Sequence, residues 1–228
     1  MATMHIGLIG GIGPAATEYY YRGIVDLHRS VGTSPELTIV HADVRELVRN
    51  AANRDATLQA NVFARMTQRL AAAGAEAVAI TSMGGHFCIR EFAAISPLPV
   101  LDAIPAVDSA IRQRELRTVG ILGNMAVMQT KLYGGIFSAA IVLPQGDALH
   151  EVHDCYRGMA LERRVTDERR RVFFATGRQM CASQGAEAVI LGGTDLFLAF
   201  EEQNCGFPVI DCAAIHVHAI YRWSIGEA

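Results

Sequence analysis

Four loop segments of this chain carry residue types that can do chemistry. The first is the glycine-rich run GGIGPAAT at 10–17. The spacing of Gly11, Gly13 and Ala16 fits a degenerate dinucleotide fingerprint, with Asp43 as the ribose carboxylate after a second strand. The same run fits a tight strand-to-helix turn whose helix N-terminus can hold any anion, including a carboxylate. Glycine patterns of this kind are weak evidence, and the internal duplication described below favours the second interpretation.

The other three segments are TSMGGH at 81–86, GNMAVM at 123–128 and GGTD at 192–195. Ser82, His86 and Asp195 are the residue types of a nucleophilic triad, although spacing alone does not establish one. His86 could instead be a polar residue at a helix start, and Asp195 a helix cap. The methionines of these loops either widen an apolar pocket or fill the core; they are Met83, Met125 and Met128.

Composition excludes several classes of protein. The 228 residues are 51% hydrophobic and 19% charged, with a net charge of −3, so we expect neither a nucleic-acid partner nor a basic membrane patch. The five cysteines are scattered without a CxxC pair, which indicates neither a zinc site nor a disulfide framework, and Cys88 reads as a small core residue. No apolar run reaches the ~18 residues of a membrane span, and the start lacks a signal peptide. We therefore predict a reduced, cytoplasmic protein without a metal site.

Apolar runs alternate with amphipathic stretches along the chain, which predicts parallel sheets in an α/β fold. The predicted strands are 5–9, 37–41, 77–81, 100–101, 119–122, 140–143, 188–191 and 209–210. The predicted helices are 15–30, 55–73, 90–94, 104–114, 149–157, 167–184 and 213–224. His216 and His218 lie two apart on the last of these helices and face different directions, which argues against a metal pair.

Three segments of the chain recur in the same order. GAEAVAI at 74–80 returns as GAEAVIL at 185–191, HIGLIG at 5–10 as TVGILG at 118–123, and LPVLD at 98–102 as FPVID at 207–211. The duplication predicts two similar lobes related by a pseudo-twofold, residues 1–100 with 211–228 and residues 101–210. Ligands of parallel α/β sheets bind beyond the carboxyl ends of the strands, so we expect a ligand cleft between the lobes.

The same loops resemble those of the aspartate/glutamate racemase family. Gly-Gly-x-Gly-Pro-x-Ala-Thr after the first strand resembles that family's opening signature, and Pro208-Val209-Ile210-Asp211 before the last helix is also typical of it. The family's first catalytic loop reads Cys-Asn-Thr-x-His and its second reads Gly-Cys-Thr-Glu. The resemblance implies a two-lobed enzyme that binds a small amino acid or dicarboxylate without a cofactor. Its relatives place one cysteine on each face of the α-carbon, because a thiol with a tunable pKa can both remove and deliver a proton.

Carried over by position, the resemblance places the first cysteine at Ser82 and the second at Gly193. A serine hydroxyl is too weak an acid to rest as an alkoxide, and glycine has no side chain, so the two-thiol mechanism cannot run here. His86 and Thr194 match the family, whereas Asp195 stands where Glu is usual. Met83 and Gly84 replace the Asn and Thr that follow the first cysteine in relatives. One residue of Arg45/Arg49 and one of Arg163/Arg164 fall near the family's carboxylate-binding cations.

We therefore expect an atypical, cofactor-independent isomerase that acts next to the carboxylate of a small acid. Two alternatives stay open: a catalytically silent homologue that binds a small carboxylate, and a lyase or hydrolase built on Ser82. The predicted catalytic positions are Ser82, His86, Gly193 and Asp195. The predicted substrate-binding positions are Gly11, Gly13, Arg49, Met83, Gly84, Gly85, Asn124, Arg164 and Thr194. The expected partner is the small carboxylate itself, and a homodimer is one possible assembly.

Overall fold

A computed structural model of the chain describes residues 3–201 and 203–227. The chain divides into two compact units. The first contains residues 1–102 and 216–228, and the second contains residues 103–215. The predicted lobe limits were 100/101 and 210/211.

The sheet of the first unit is built from β1 (Ile6–Gly10), β2 (Leu37–His41) and β3 (Ala77–Ile80). The strands are parallel in the order β2-β1-β3, and Val100 adds a single parallel bridge to Val78 of β3. Every residue of β1 and β3 is buried, which explains why both read as uninterrupted apolar runs. The edge strand β2 is partly exposed.

The sheet of the second unit has the order β5-β4-β6-β7, again with all strands parallel. These strands are β4 (Thr118–Leu122), β5 (Ala140–Val142), β6 (Ala188–Leu191) and β7 (Val209–Asp211). The order repeats that of the first unit, with Val100 in the place of β7. The α/β class, the parallel sheets and the two similar lobes predicted from the duplication are thus confirmed.

The helices that begin in the first unit are α1 (Pro14–Ser30), α2 (Val44–Ala52), α3 (Ala56–Ala72) and α4 (Ile89–Ile95). Pro14 opens α1, and Asp55 caps α3 by accepting the Leu58 amide at 2.9 Å. A 3₁₀ segment, Met83–Cys88, joins β3 to α4. The core of this unit lies between sheet and helices and includes the edge-on pair Phe63 and Phe92, with ring centroids 5.5 Å apart.

The helices that begin in the second unit are α5 (Ala103–Gln113), α6 (Met125–Gln129), α7 (Ala148–Glu162), α8 (Asp167–Gln184), α9 (Phe197–Phe200) and α10 (Cys212–Ser224). From His216 onward, the residues of α10 belong to the first unit. A second 3₁₀ segment, Thr194–Leu196, follows β6. Across the described ranges, no helix is long and apolar enough to span a membrane.

Helix prediction failed at α2, α6 and α9, which are short and bury few residues. Helix α7 is also longer than predicted, because the predicted end at 157 precedes Gly158, a residue that weakens helices. The helix continues through Gly158, and the Arg169 side chain packs there, since a Cβ would lie 2.5 Å from Nη2 of Arg169. Tertiary packing therefore overrides the local signal at this point.

Candidate functional site

The glycine loop after β1 is closed by its own hydrogen bonds. The Gly11 amide donates to Oγ1 of Thr17 at 2.9 Å, and Thr17 Oγ1 lies 3.2 Å from the Gly13 carbonyl and 3.2 Å from Oγ1 of Thr81. Gly11 has φ of +85°, and a Cβ there would lie 2.7 Å from the Ala42 carbonyl oxygen, so only glycine fits. The Gly11 amide already has a partner in the loop, so its contribution is to the shape of the loop. A role for Gly11 and Gly13 in substrate binding stays a prediction.

The loop after β3 begins at Ser82, whose backbone is extended and whose hydroxyl caps no amide. Ser82 is 6% exposed, and its hydroxyl forms no hydrogen bond to any described residue. Met83 is fully buried as part of the core. Gly85 is required by packing, because a Cβ there would lie 2.9 Å from Cγ2 of Ile80. Within the first unit, this loop thus presents a serine hydroxyl without a base beside it.

His86 is completely buried, and its ring holds this loop together. Its Nδ1 lies 2.7 Å from the Ser82 carbonyl oxygen, which can only accept, so Nδ1 carries the proton. Its Nε2 lies 3.7 Å from Oδ1 of Asp102. Burial lowers the pKa of His86, while the Asp102 charge and the Ser82 carbonyl act in the opposite direction. Because Nδ1 donates its proton to the Ser82 carbonyl, that nitrogen cannot act as the base for the Ser82 hydroxyl in this geometry.

A second buried histidine, His216, packs edge-on against His86 with ring centroids 5.9 Å apart. Its Nε2 donates to the Leu101 carbonyl at 2.8 Å, so its Nδ1 accepts from the hydroxyl of Tyr20 at 2.9 Å. Burial lowers the pKa of His216 to about 3, with the neighbouring His86 as a further cause. His216 is therefore neutral at physiological pH and acts as a hydrogen-bonding core residue.

The loop after β6 has a different arrangement, because an aromatic ring takes the space beside Gly193. A Cβ added to Gly193 would overlap Cε2 of Tyr156 and would lie 2.6 Å from Cζ and 2.8 Å from the hydroxyl oxygen. Tyr156 comes from the middle of α7 and is 8% exposed. Glycine at position 193 is thus what allows the Tyr156 ring to reach the carboxyl end of β6.

The Tyr156 hydroxyl donates to Oδ2 of Asp195 at 3.2 Å, and both side chains are buried. Burial and the adjacent Asp195 charge raise the pKa of Tyr156 well above its usual value. Thr194 is 1% exposed, and its hydroxyl has no hydrogen-bond partner among the described residues. A buried hydroxyl without a partner is uncommon and calls for an explanation such as a ligand. The loop after β6 thus brings together a phenol, a carboxylate and an unpartnered hydroxyl.

The loop after β4 lies against the loop after β6. Gly123 is close enough that a Cβ there would be 3.4 Å from the Gly193 amide nitrogen. Asn124 caps α6 by accepting the Val127 amide at 3.0 Å, and the Met125 amide donates to Nδ1 of His153 at 3.0 Å. His153 and Tyr156 lie one turn apart on α7, and burial lowers the pKa of His153.

A run of left-handed backbone follows α6. Lys131, Leu132, Tyr133 and Gly134 have φ values of +52°, +56°, +58° and +67°. This conformation costs about 1–2 kcal/mol for each residue with a Cβ, and strained backbone of this kind gathers at functional sites. Tyr133 is near enough to Tyr156 to raise its pKa. The strain therefore lies beside the phenol and carboxylate of the second unit.

The arginine pairs differ in what they contact. Arg45 forms a salt bridge to Asp43 at 3.1 Å and is 87% exposed, and Arg164 lies 3.5 Å from Glu162. Arg49 and Arg163 are exposed and form no salt bridge to any described residue. Asp43 caps α2, since it accepts the Arg45 amide at 2.9 Å, and is thus engaged within its own turn. Arg49 thus has no salt bridge to a described residue, whereas Arg45 and Arg164 each have one.

None of the cysteines whose pKa is shifted is activated. Burial raises the pKa of Cys88 to about 12, and burial also raises the pKa of Cys155, Cys181 and Cys212. Cys88 is fully buried with its thiol 3.5 Å from the Gly85 carbonyl, which supports its interpretation as a core residue. Within residues 3–201 and 203–227, no three His, Cys, Asp or Glu side chains are placed to hold a metal ion.

With this geometry in place, comparison with known proteins gives one family. Residues 9–220 match the model of the Asp/Glu/Hydantoin racemase family. The chain belongs to the Asp/Glu/Hydantoin racemase family. The resemblance drawn from the loop motifs is thereby confirmed for nearly the whole chain.

Solved structures of this racemase family share the fold. A protein of Yersinia pestis named as an Asp/Glu racemase is 23% identical with a TM-score of 0.85, over 97% of this chain and 99% of the other. An aspartate racemase homologue of Pyrococcus horikoshii is 24% identical with a TM-score of 0.79, over the same shares of 97% and 99%. Aspartate racemase of Picrophilus torridus is 16% identical with a TM-score of 0.73, over 97% and 94%. At these identities, the likeness establishes the two-lobed racemase fold and not the reaction.

Three residues of these polar clusters were not predicted from the sequence: Tyr156, Asp102 and His153. Each lies outside the four loop segments, on a helix or just after a strand, so no local motif pointed to it. Only one signal was available for Tyr156. Gly193, at the position where the resemblance places a cysteine, leaves space that another residue must fill.

Proposed function

We propose that the protein is a cofactor-independent isomerase that removes and returns the hydrogen on the carbon next to the carboxylate of a small acid, without using thiols. Membership of the racemase family supports an isomerase or racemase-like function. The thiol-free mechanism follows from the sequence, because Ser82 and Gly193 stand where the resemblance places cysteines.

The observation that carries this proposal is the buried polar cluster at the end of β6. Asp195 and Thr194 are 3% and 1% exposed, and the Tyr156 hydroxyl donates to the Asp195 carboxylate. Burying a hydroxyl without a partner costs about 1–3 kcal/mol, and a chain that had lost its ligand would gain by replacing it. The cluster thus supports retention of a ligand and of groups that handle protons.

A silent carboxylate-binding protein is the second candidate, and one observation favours it. In the loop after β3, Met83 is fully buried and both ring nitrogens of His86 face groups of the first unit. This loop therefore offers a ligand only the Ser82 hydroxyl among the side chains of Ser82, Met83 and His86. A hydrolase or lyase built on Ser82 gains no support, because no base contacts that hydroxyl in the first unit.

Deuterium exchange at the carbon next to the carboxylate tests the proposal. Purified protein, passed through a desalting column and kept in EDTA, is incubated in D₂O with each acid of a panel, and exchange is followed by NMR. The panel contains aspartate, glutamate, phenylalanine and mandelate, each of which carries a hydrogen on the carbon next to a carboxylate. A parallel sample is first treated with iodoacetamide, with mass spectrometry to record which thiols react.

We expect exchange on at least one compound of the panel, at a rate that iodoacetamide leaves unchanged. Loss of exchange on alkylation would overturn the thiol-free mechanism. Absence of exchange on every compound would overturn the isomerase. A thermal shift with the same compounds then separates the silent binder, which shows a shift without exchange, from a protein with no affinity for them.

A further inference from the structure

Tyr156 and Asp195 form an acid–base pair in a place where a ligand would be expected. The pair lies at the carboxyl end of β6, where parallel α/β sheets bind their ligands. The Tyr156 ring fills the space beside Gly193, so its hydroxyl lies 2.8 Å from the point where a side chain at position 193 would begin. The edge of the ring therefore takes the place of a Cβ on residue 193, and the hydroxyl lies directly beside that place.

Two independent features mark this place as more than a packing contact. The Thr194 hydroxyl next to it is buried without a partner among the described residues, which is consistent with a ligand group at that position. The left-handed run 131–134 brings Tyr133 into the surroundings of Tyr156, and strain of this kind persists only where the structure over-determines it.

We propose that Tyr156 is a catalytic residue that relays a proton between the substrate carbon and Oδ2 of Asp195. This inference rests on the proposed isomerase and assigns one of its proton-transfer steps. As the substrate C–H bond breaks, its proton forms a new O–H bond with Tyr156. At the same time the original Tyr156 proton passes to Asp195 along the 3.2 Å hydrogen bond. The electron pair of the C–H bond stays on the substrate as an enolate conjugated with its carboxylate.

Charge is balanced in this step, since a carboxylate becomes a carboxylic acid and the neutral substrate carbon becomes an enolate. The reverse step returns a proton from Tyr156 to carbon while Asp195 gives its proton back to the phenol. No free phenolate forms at any point. That agrees with the raised pKa of Tyr156, which disfavours a phenolate in this buried place beside a carboxylate.

The competing interpretation is that the hydroxyl only satisfies Asp195, as buried tyrosine hydroxyls commonly do. Tyr156→Phe separates the two, because it removes the hydroxyl and keeps the ring beside Gly193. Asp195→Asn removes the proton acceptor while retaining a polar group of similar size. Tyr221→Phe on α10 of the first unit is the matched control, since Tyr221 packs on His28 with ring centroids 5.0 Å apart and belongs to neither site loop.

The readout is the deuterium exchange rate at saturating and at limiting concentration of whichever panel compound the wild-type protein exchanges fastest. We expect Tyr156→Phe and Asp195→Asn each to lower the maximal rate about 100-fold or more, the usual worth of a positioned acid or base, and to change KM less than about 3-fold. A protein that carries both Tyr156→Phe and Asp195→Asn should exchange no more slowly than the slower single variant. The reason is that each single change already interrupts the same relay. Tyr221→Phe should exchange at the wild-type rate.

A Tyr156→Phe protein that is folded by circular dichroism and exchanges within about 3-fold of wild type overturns the relay while the isomerase stands. An effect confined to KM overturns it as well, since a positioning hydroxyl would act on binding. If the wild-type protein exchanges no compound of the panel, the proposed function and the relay fall together. If Tyr156→Phe does not fold, the exchange rates of Tyr156→Trp and Asp195→Asn are compared with that of wild type instead. The same limit of about 3-fold then applies.

Discussion

The loops after β3 and β6 follow repeated segments of the sequence, and yet they are stabilised in different ways. In the first unit, His86 donates from Nδ1 to a carbonyl of its own loop and faces Asp102 through Nε2. In the second unit, the polar contact is made from outside the loop, by Tyr156 of α7 reaching Asp195. The histidine of the first loop thus donates within its own loop, whereas the carboxylate of the second loop accepts from a neighbouring helix.

The difference shows that two loops at corresponding positions of the duplication are held by different contacts. Residue 82 has a small side chain, and its loop is held by the hydrogen bond of His86, which is fully buried. At residue 193 the side chain is absent altogether, so an aromatic ring from another element takes the space. The loop after β3 thus carries a buried imidazole, and the loop after β6 lies against a phenol. Experiments that perturb each loop separately test whether this contrast is real.

The largest effect should come from His86→Ala. The change removes a fully buried ring, leaves a cavity and takes away one of two donors to the Ser82 carbonyl, which keeps the Gly85 amide at 3.1 Å. We therefore expect the free energy of unfolding to fall by about 3 kcal/mol. His86→Asn keeps a donor near Nδ1 and should lose less. Urea denaturation measures both variants, with the exposed His218→Ala as the control. A loss below 1 kcal/mol for His86→Ala would show that the first loop does not depend on its histidine.

The next effect concerns space in the second loop. Gly193→Ala places a Cβ 2.6 Å from Cζ of Tyr156, so the ring must shift, and overpacking of this kind costs about 2 kcal/mol. In a Tyr156→Ala background the same change should cost less than 0.5 kcal/mol, because the ring is gone. Ser82→Ala, the counterpart position in the first unit, should change stability little. Equal costs of Gly193→Ala in both backgrounds would mean that Tyr156 does not fill the space beside Gly193.

Much of the fold could be predicted from the sequence. The difference between the loops after β3 and β6 could hardly be predicted. The strands β1, β3, β4 and β6 are buried runs bounded by glycine, so their positions follow from local pattern. The parallel order follows from the alternation with helices and from the duplication. The short helices α2 and α6 were missed because each buries only two residues and so shows little apolar periodicity.

The candidate site was predictable only as far as its loops. Glycine motifs locate the strand ends, and the family resemblance identifies Ser82 and Gly193 as changed positions. Which side chain replaces a lost one depends on distant packing. Tyr156 lies 37 positions before Gly193, and nothing in the spacing of those residues indicates that α7 directs a ring at β6. Likewise, the role of Asp102 beside His86 follows from tertiary structure and not from a motif.

A third prediction uses pH to sharpen the comparison, since the first unit holds three fully buried histidines, His28, His86 and His216. The pKa of His216 is about 3 in the folded protein, against about 6.5 for an unfolded chain, so the unfolded state binds more protons below pH 6.5. Its stabilising contribution is complete above pH 6.5 and is lost progressively as the pH falls toward 3. Between pH 7.5 and 5.0 we expect the loss to be about 2 kcal/mol.

His216→Gln should remove that part of the pH dependence while keeping an amide donor for the Leu101 carbonyl. Urea denaturation at pH 7.5, 6.0 and 5.0 measures it, and the exposed His218→Gln serves as the control. An unchanged slope in His216→Gln would assign the acid sensitivity to His86 or His28, whose pKa values are also lowered by burial.

The smallest effect is expected at Thr194, and its sign is informative. The Thr194 hydroxyl is buried without a partner among the described residues, so Thr194→Val replaces an unsatisfied polar group by a methyl group of similar size. We expect the free protein to become more stable by about 1 kcal/mol, because the desolvation cost of the hydroxyl disappears. Ser82→Ala in the first unit offers no such gain, since Ser82 is at a loop start and retains some exposure. If the hydroxyl is kept for a ligand, Thr194→Val should also weaken the thermal shift produced by the best-bound panel compound. A variant that is less stable than wild type would show that the Thr194 hydroxyl is satisfied in solution, and the contrast between the two loops would then rest on Tyr156 and Asp195 alone.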